Sequence, residues 1–201
     1  MASNSGQRLD RREVAKVLLR DRGDLLVVAG LGAPAWDATH VGDHPLNFPL
    51  WGGMGGATAI GLGLAIAQPM RPVLVLTGDG EMLMGMGSLA TVGIDQPANL
   101  SIVVLDNEHY GETGMQESHT ARGVDLAAAA LACGLKSGVM VTQMEQVIAL
   151  RKAMHAMQGT VFAQVKVAAD KLPLALPPRD GPYLKNRFRE ALLGSRAYFQ
   201  K

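Results

Sequence analysis

Asp79 stands between Gly78 and Gly80, directly after the apolar run Val73–Thr77. Beyond a further 26 residues, 81 to 106, Asn107 directly follows a second β-branched run, Ser101–Asp106. If both runs are parallel strands of one sheet, these two oxygen-bearing side chains emerge at carboxyl ends, where open α/β sheets bind their ligands. Singly, an Asp between glycines is a turn residue and an Asn after a strand makes an Asx-turn. The combination points to a binding site. Upstream, Trp51-Gly52-Gly53-Met54-Gly55-Gly56 sets one bulky apolar residue among four glycines, although most of the 11 methionines belong to the ordinary gap-filling kind.

Other patterns carry less. Gly30-Leu31-Gly32-Ala33-Pro34-Ala35 fits the dinucleotide template G-x-G-x-x-A after a strand, but Gly42 and Pro45 cut the following helix short. Gly85-Met86-Gly87-Ser88-Leu89-Ala90 fits the same template, yet seven residues separate it from the strand end at Thr77 and so it falls inside a helix. His40 and His44 have i, i+4 spacing, but the same Gly42 and Pro45 predict a loop that would not align them on a metal. The single cysteine, Cys133, excludes an internal disulfide framework and a cysteine-ligated cluster and is read as core.

The elements that must position these residues alternate in a βαβ rhythm. An amphipathic helix spans about Asp10–Arg20, and Leu25–Ala29 reads as a buried strand. Phe48–Trp51 is a short strand, Ala57–Ala67 a small-residue helix and Val73–Thr77 a third strand. Helix follows to about Val92, then the strand Ser101–Asp106 and the polar loop NEHYGETGMQESHT. Asp125–Cys133 is a helix ended by Gly134, Thr142 caps a helix to about Met157, and Val161–Val167 is a last strand. The predicted fold is α/β: a doubly wound, mainly parallel sheet of five or six strands with helices on both faces.

Composition agrees with one such domain. The chain has 201 residues, 48% of them apolar and 18% charged, with 19 Lys plus Arg against 18 Asp plus Glu, which argues against disorder and against nucleic acid as a partner. The polar start MASNSGQRLDRREV lacks a signal-peptide core, and the longest apolar stretch, Ala57–Ala67, is too short to span a membrane, so a cytoplasmic location is expected. From Lys171 the character changes to PLALPPRDGPY and a basic helix over Tyr183–Ala197. Seven basic residues against two acidic give this tail +5, against −4 for residues 1–170.

With these motifs in their strand contexts, the chain resembles the diphosphate-binding domain of thiamine diphosphate enzymes. The likeness narrows after Asn107: LDNEHYGETGMQ, then GVDLAAAALACG, is similar to the phosphonopyruvate and sulfopyruvate decarboxylase group, especially its separate β subunits, in which T-G-x-Q follows the metal-binding Asn. Here that is Thr113-Gly114-Met115-Gln116. FPLWGGMGGATAIGLGLA and GDGEMLMGMGSLATVG extend the match, so that it covers about Leu25–Leu193.

The resemblance implies thiamine diphosphate and Mg²⁺ as cofactors. A divalent ion neutralises the diphosphate, and Mg²⁺ takes six oxygens, some from water and phosphate. Asp79, the Asn107 side-chain carbonyl and a main-chain carbonyl near His109 would supply the protein's share. Gly78, Gly80, Glu81, Tyr110 and Gly111 would line the diphosphate; the Gly52 carbonyl, Gly53 and Met54 would cradle the aminopyrimidine and hold the cofactor bent. Glu112, His119 and Gln116 follow the metal ligand closely enough to face substrate, where a His or a Glu of raised pKa would deliver the proton that replaces CO₂. In the family, activation of the ring depends on a Glu of a separate pyrimidine-binding domain, and no second α/β domain remains in this sequence. The active site is therefore expected to lie between residues 1–170, the diphosphate-binding domain, and a partner subunit. Residues 171–201, a proline-rich linker and basic helix, would pack on the domain or on that partner, which is expected to cover the tail and the Gly52–Gly56 mouth.

The activity implied is decarboxylation of a small 2-oxoacid. A carboligase or transketolase-like half and a non-catalytic binding subunit are the alternatives; a 2-oxoacid:ferredoxin oxidoreductase β subunit would need cluster cysteines. Glu81, Glu108, His109 and Glu112 replace the smaller residues usual in the group. With four acidic residues and no Lys or Arg between Asp106 and His119, the loop should repel a phosphonate or sulfonate unless the partner supplies cations, which favours a less anionic substrate.

Overall fold

The computed structural model describes residues 8–199; Met1–Gln7, Gln200 and Lys201, the last counted in the basic tail, lie outside the described residues. The strands are β1 (Leu26–Ala29), β2 (Asn47–Pro49), β3 (Val73–Gly78), β4 (Leu100–Asp106), β5 (His109–Tyr110), β6 (Gln116–Glu117), β7 (Gly138–Val141) and β8 (Val161–Lys166). Six of them form one sheet in the order β2-β1-β3-β4-β8-β7, with every neighbouring pair parallel.

Alternation along the strands feeds two cores. Val27, Ala29, Leu74, Leu76, Val103, Leu105, Ala163 and Val165 meet α1 (Arg11–Leu19), α2 (Ala33–Val41) and α7 (Met144–Ala156) on one face. Leu26, Val28, Val73, Val75, Ile102, Val104 and Phe162 meet α3 (Ala57–Ala67), α4 (Asp79–Met84), α5 (Ser88–Asp95) and α6 (Leu126–Ala132) on the other. The sheet is thus doubly wound. β1 and β3 are neighbours, but the helices that follow them lie on opposite faces, which opens a crevice between their carboxyl ends.

Several boundaries differ from the sequence expectation for physical reasons. The helix expected to run to Val92 is two helices, since Gly85-Met86-Gly87 interrupts it. Gln143, not Thr142, caps α7: its side chain accepts from the Gln146 backbone, and Gln146 Oε1 accepts from Gln143 N at 3.0 Å. His40 lies in α2 and not in a loop, but the helix stops at Gly42, so His44 is not on its face. Strand β7 was not foreseen, because two of its four residues, Val139 and Met140, are exposed at the sheet edge and leave only a short apolar signal.

The tail folds back onto its own domain. α8 (Gly181–Leu193) is capped by Asp180, and its Leu184 and Phe188 are buried, with the Phe188 ring 5.4 Å from that of Phe48 in β2. The proline-rich segment before it is tethered twice: Arg12 donates to the Pro173 carbonyl, and Trp51 Nε1 donates to the Pro178 carbonyl at 2.7 Å.

Candidate functional site

Gly78 in β3 pairs with Leu105 in β4, so Asp79 and Asn107 leave adjacent strands at the same edge of the sheet. Asp79 is 2% exposed. Ser118 Oγ donates to its Oδ2, and the Thr120 hydroxyl sits between two carboxylates, 2.7 Å from Asp106 Oδ1 and 3.3 Å from Asp79 Oδ2. Both hydroxyls address the same Asp79 oxygen, which leaves Oδ1 as the one a cation would take. The Asp79 carboxyl is raised to about 6, chiefly by burial and also by nearby Asp106, against the opposing Ser118 and Thr120 hydroxyls.

Asn107 Oδ1 accepts from the His109 backbone N–H at 3.0 Å, the Asx-turn, and a carbonyl oxygen has a second lone pair for a metal. The His109 ring turns away, with Nδ1 2.9 Å from the Asn107 carbonyl oxygen. The protein donors on offer are oxygens, as Mg²⁺ requires, and most of its shell would come from phosphate and water. Among the described residues no group of three or more His, Cys, Asp or Glu is gathered as a metal centre. One carboxylate, one amide and one main-chain carbonyl therefore fit a metal that the ligand helps to hold.

The two motifs converge. A Cβ on Gly80 would lie 2.6 Å from the Tyr110 ring and 3.7 Å from Met54 Cε, so Tyr110 and Met54 meet above the start of α4 and only glycine fits beneath them. Gly52 and Gly53 have open space where a side chain would project, and Met54 is exposed. Gly78 meets no more than ordinary contact with Pro34, and Gly111 borders Met115. Glu81 is turned inward: it is 4% exposed, and Thr77 Oγ1 donates to its Oε2 at 2.9 Å.

The expected proton donors are more dispersed. The loop is not featureless: β5 and β6 pair antiparallel as a hairpin, and Thr113 donates to Gln116 Oε1 at 3.0 Å within it. Glu112 reaches over the turn after β1, where its Oε1 lies 2.7 Å from the place a Cβ on Gly32 would occupy, and burial raises its carboxyl. His119 Nδ1 is 3.3 Å from the Tyr110 hydroxyl. His119 thereby joins the Tyr110–Gly80 corner, whereas Gln116 stays exposed on the hairpin.

One expectation is overturned. The loop's acidity is largely compensated within the chain: Lys166 pairs with Asp106 at 2.7 Å and with Glu108 at 2.6 Å, Arg8 with Glu108 at 2.8 Å, and Arg122 with Glu117 at 3.3 Å. Among the described residues only Glu112 of the loop's four acidic residues is without an ion pair, since Lys166 and Arg8 arrive from distant sequence and Arg122 from just beyond the loop. Repulsion of an anionic substrate no longer follows.

Sequence reasoning also missed the support of the site. Gln164, wholly buried in β8, donates to Asp106 Oδ2 at 2.6 Å and accepts at Oε1 from Leu126 N and Ala127 N, the start of α6. A Gln inside an apolar strand was the available signal, because a buried amide must find partners. Glu108 adopts φ +64, a left-handed conformation costing a non-glycine residue about 1 kcal/mol, and its pairs with Lys166 and Arg8 offset that cost. Replacing Lys166 with Met should strand the buried Asp106 charge and lower stability by roughly 3 kcal/mol in urea unfolding; an unchanged midpoint would show that the ion pairs do not hold this loop.

Residues 32–165 match the family of thiamine pyrophosphate enzymes at their C-terminal TPP-binding domain. The sulfopyruvate decarboxylase β subunit of Methanothermobacter thermautotrophicus is 36% identical over 93% of this chain and 97% of its own length. The phosphonopyruvate decarboxylase of Streptomyces viridochromogenes is 35% identical over 83% of this chain, which spans only 42% of that relative. In fold, the crystal structure of benzoylformate decarboxylase from Polynucleobacter necessarius superposes with a TM-score of 0.69 at 21% identity, over 87% of this chain and 36% of that one.

Proposed function

The chain belongs to the thiamine pyrophosphate enzymes, in the group of sulfopyruvate decarboxylase β subunits and phosphonopyruvate decarboxylases, and from that premise we propose that it is the Mg²⁺-dependent cofactor-binding subunit of a cytoplasmic 2-oxoacid decarboxylase. The observation that carries the reading is the buried Asp79 carboxylate beside Asn107 on the adjacent strand, with Met54 reaching the same corner. Thiamine diphosphate, when bound, supplies the electron sink that lets a 2-oxoacid lose CO₂.

The chain's own part is to bind and to shape. Asp79 and Asn107, with a carbonyl at His109, would hold Mg²⁺; Gly78 and Gly80 let the diphosphate approach the backbone, under Tyr110 and Gly111. The Gly52 carbonyl, Gly53 and Met54 would hold the aminopyrimidine. His119, placed by Tyr110, and Glu112 at the Gly32 turn are the groups we assign to proton delivery, with Gln116 beside them. A partner subunit carrying the pyrimidine-binding domain and its Glu completes the site and covers the Gly52–Gly56 mouth.

Product analysis of the assembled enzyme on 2-oxoacids with neutral and anionic distal groups, with and without an acceptor aldehyde, tests this. CO₂ and a free aldehyde are expected, with kcat falling at least about tenfold in Glu112→Gln or His119→Ala. Product that forms only with an acceptor would make the chain a carboligase half, and wild-type kinetics in both variants would remove their catalytic role.

A further inference from the structure

Glu81, directly after Gly78-Asp79-Gly80, is a buried carboxylate in a singular position. It sits in the first turn of α4, and its carboxylate crosses the crevice between β1 and β3. Thr77 Oγ1 donates to Oε2 at 2.9 Å and Ala57 N, the first residue of α3, donates to Oε1 at 3.4 Å, while the backbones of Leu31 and Gly55 lie close enough to favour its charged form. Two donors thus arrive from the end of β3 and the start of α3, with the turn after β1 and the glycine loop alongside. The space is filled completely: a Cβ on Gly30 would fall 1.8 Å from Glu81 Oε2 and 3.0 Å from Thr77 Oγ1.

The glycines of the Gly30–Ala35 pattern are thereby explained. Gly30 makes room for Glu81 and Gly32 for Glu112, so both serve carboxylates of this chain. Open α/β domains bind ligands in the crevice where winding reverses, and here that crevice is plugged from within. Gly55 and Ala57 flank the loop that presents Gly52 and Met54, while Asp79 lies two residues before Glu81 on the same helix start.

We propose that Glu81 is a positioning residue that ties the glycine loop of the aminopyrimidine end to the helix start carrying the metal ligand, fixing the distance between the two ends of the cofactor site, and that Gly30 is its obligatory complement. The cofactor part of this rests on the function proposed above; the packing part does not. A carboxylate suits the position because a donor faces each of its oxygens, whereas an amide would turn its own N–H₂ on one of them.

The experiment compares Glu81→Ser, Glu81→Gln, Gly30→Ala and the double variant Gly30→Ala with Glu81→Ser. In thermal unfolding of the chain alone, Gly30→Ala should be strongly destabilising by itself and add little in the Glu81→Ser background, a coupling that requires no cofactor. In the assembled enzyme, Glu81→Ser and Glu81→Gln should raise KM for thiamine diphosphate by about 10- to 100-fold, with KM for the 2-oxoacid unchanged. Equal damage from Gly30→Ala in both backgrounds would overturn the plug. An unchanged cofactor KM in a folded Glu81→Ser enzyme would overturn the positioning role. Loss of the proposed function itself would show instead as no cofactor binding by the wild-type enzyme, with the Gly30–Glu81 coupling intact.

Discussion

Asp79→Ala and Asn107→Ala are each expected to abolish Mg²⁺-dependent binding of thiamine diphosphate by the assembled enzyme, a loss of at least about 100-fold. The two side chains leave neighbouring strands, and no other residue in the corner replaces either: Asp106 is held by Thr120, Gln164 and Lys166. Calorimetric titration reads the loss directly, and unchanged affinity in both variants would contradict the clamp. The same carboxylate gives a stability signature in the absence of Mg²⁺. Its pKa is raised from 3.8 to about 6, chiefly by burial, so its stabilising contribution is fully present below 3.8 and is lost as pH rises through about 6. Between pH 4 and 8 that amounts to at most roughly 3 kcal/mol, by the shift alone. Asp79→Asn should flatten that part of the profile in urea unfolding measured across this pH range. Asp37 and Glu81, also raised by burial, keep a slope of the same sign.

How much of this was legible follows from how local each signal is. The strands were readable because they are buried on both faces and so appear as unbroken apolar runs, and Asp79 and Asn107 because each directly follows one. The two-sided winding followed from the same rhythm. What escaped depends on contacts distant in sequence: Lys166 with Asp106 and Glu108, Arg8 with Glu108, and Glu81 with the Gly30 turn. A charge count along Asp106–His119 sees only the acids of the loop, whereas their cations come from β8, from the segment before α1 and, for Glu117, from Arg122 just beyond the loop. The hairpin β5–β6 was hidden for another reason. It has two residues per strand, too few to show alternation, and Gly114 and Met115 shape its tip with φ +135 and +62.

The chain should have no decarboxylase activity alone and should gain it only with a second subunit. All six strands of the main sheet are consumed by one domain, and the clamp at Asp79 and Asn107 would hold only the diphosphate end of the cofactor. The glycine loop proposed to hold the aminopyrimidine is open on its outer side, since nothing lies within 4 Å of where side chains on Gly52 and Gly53 would project. Half a site of this kind would bind the cofactor without turning over. The deciding measurement is CO₂ release from a panel of 2-oxoacids by the purified chain, saturated with thiamine diphosphate and Mg²⁺, with and without a co-purified subunit carrying the pyrimidine-binding domain. The structure predicts no release by the chain alone and release on addition of the partner, abolished again by Asp79→Ala. Robust turnover by the pure chain, or turnover by the pair that survives Asp79→Ala, would contradict it.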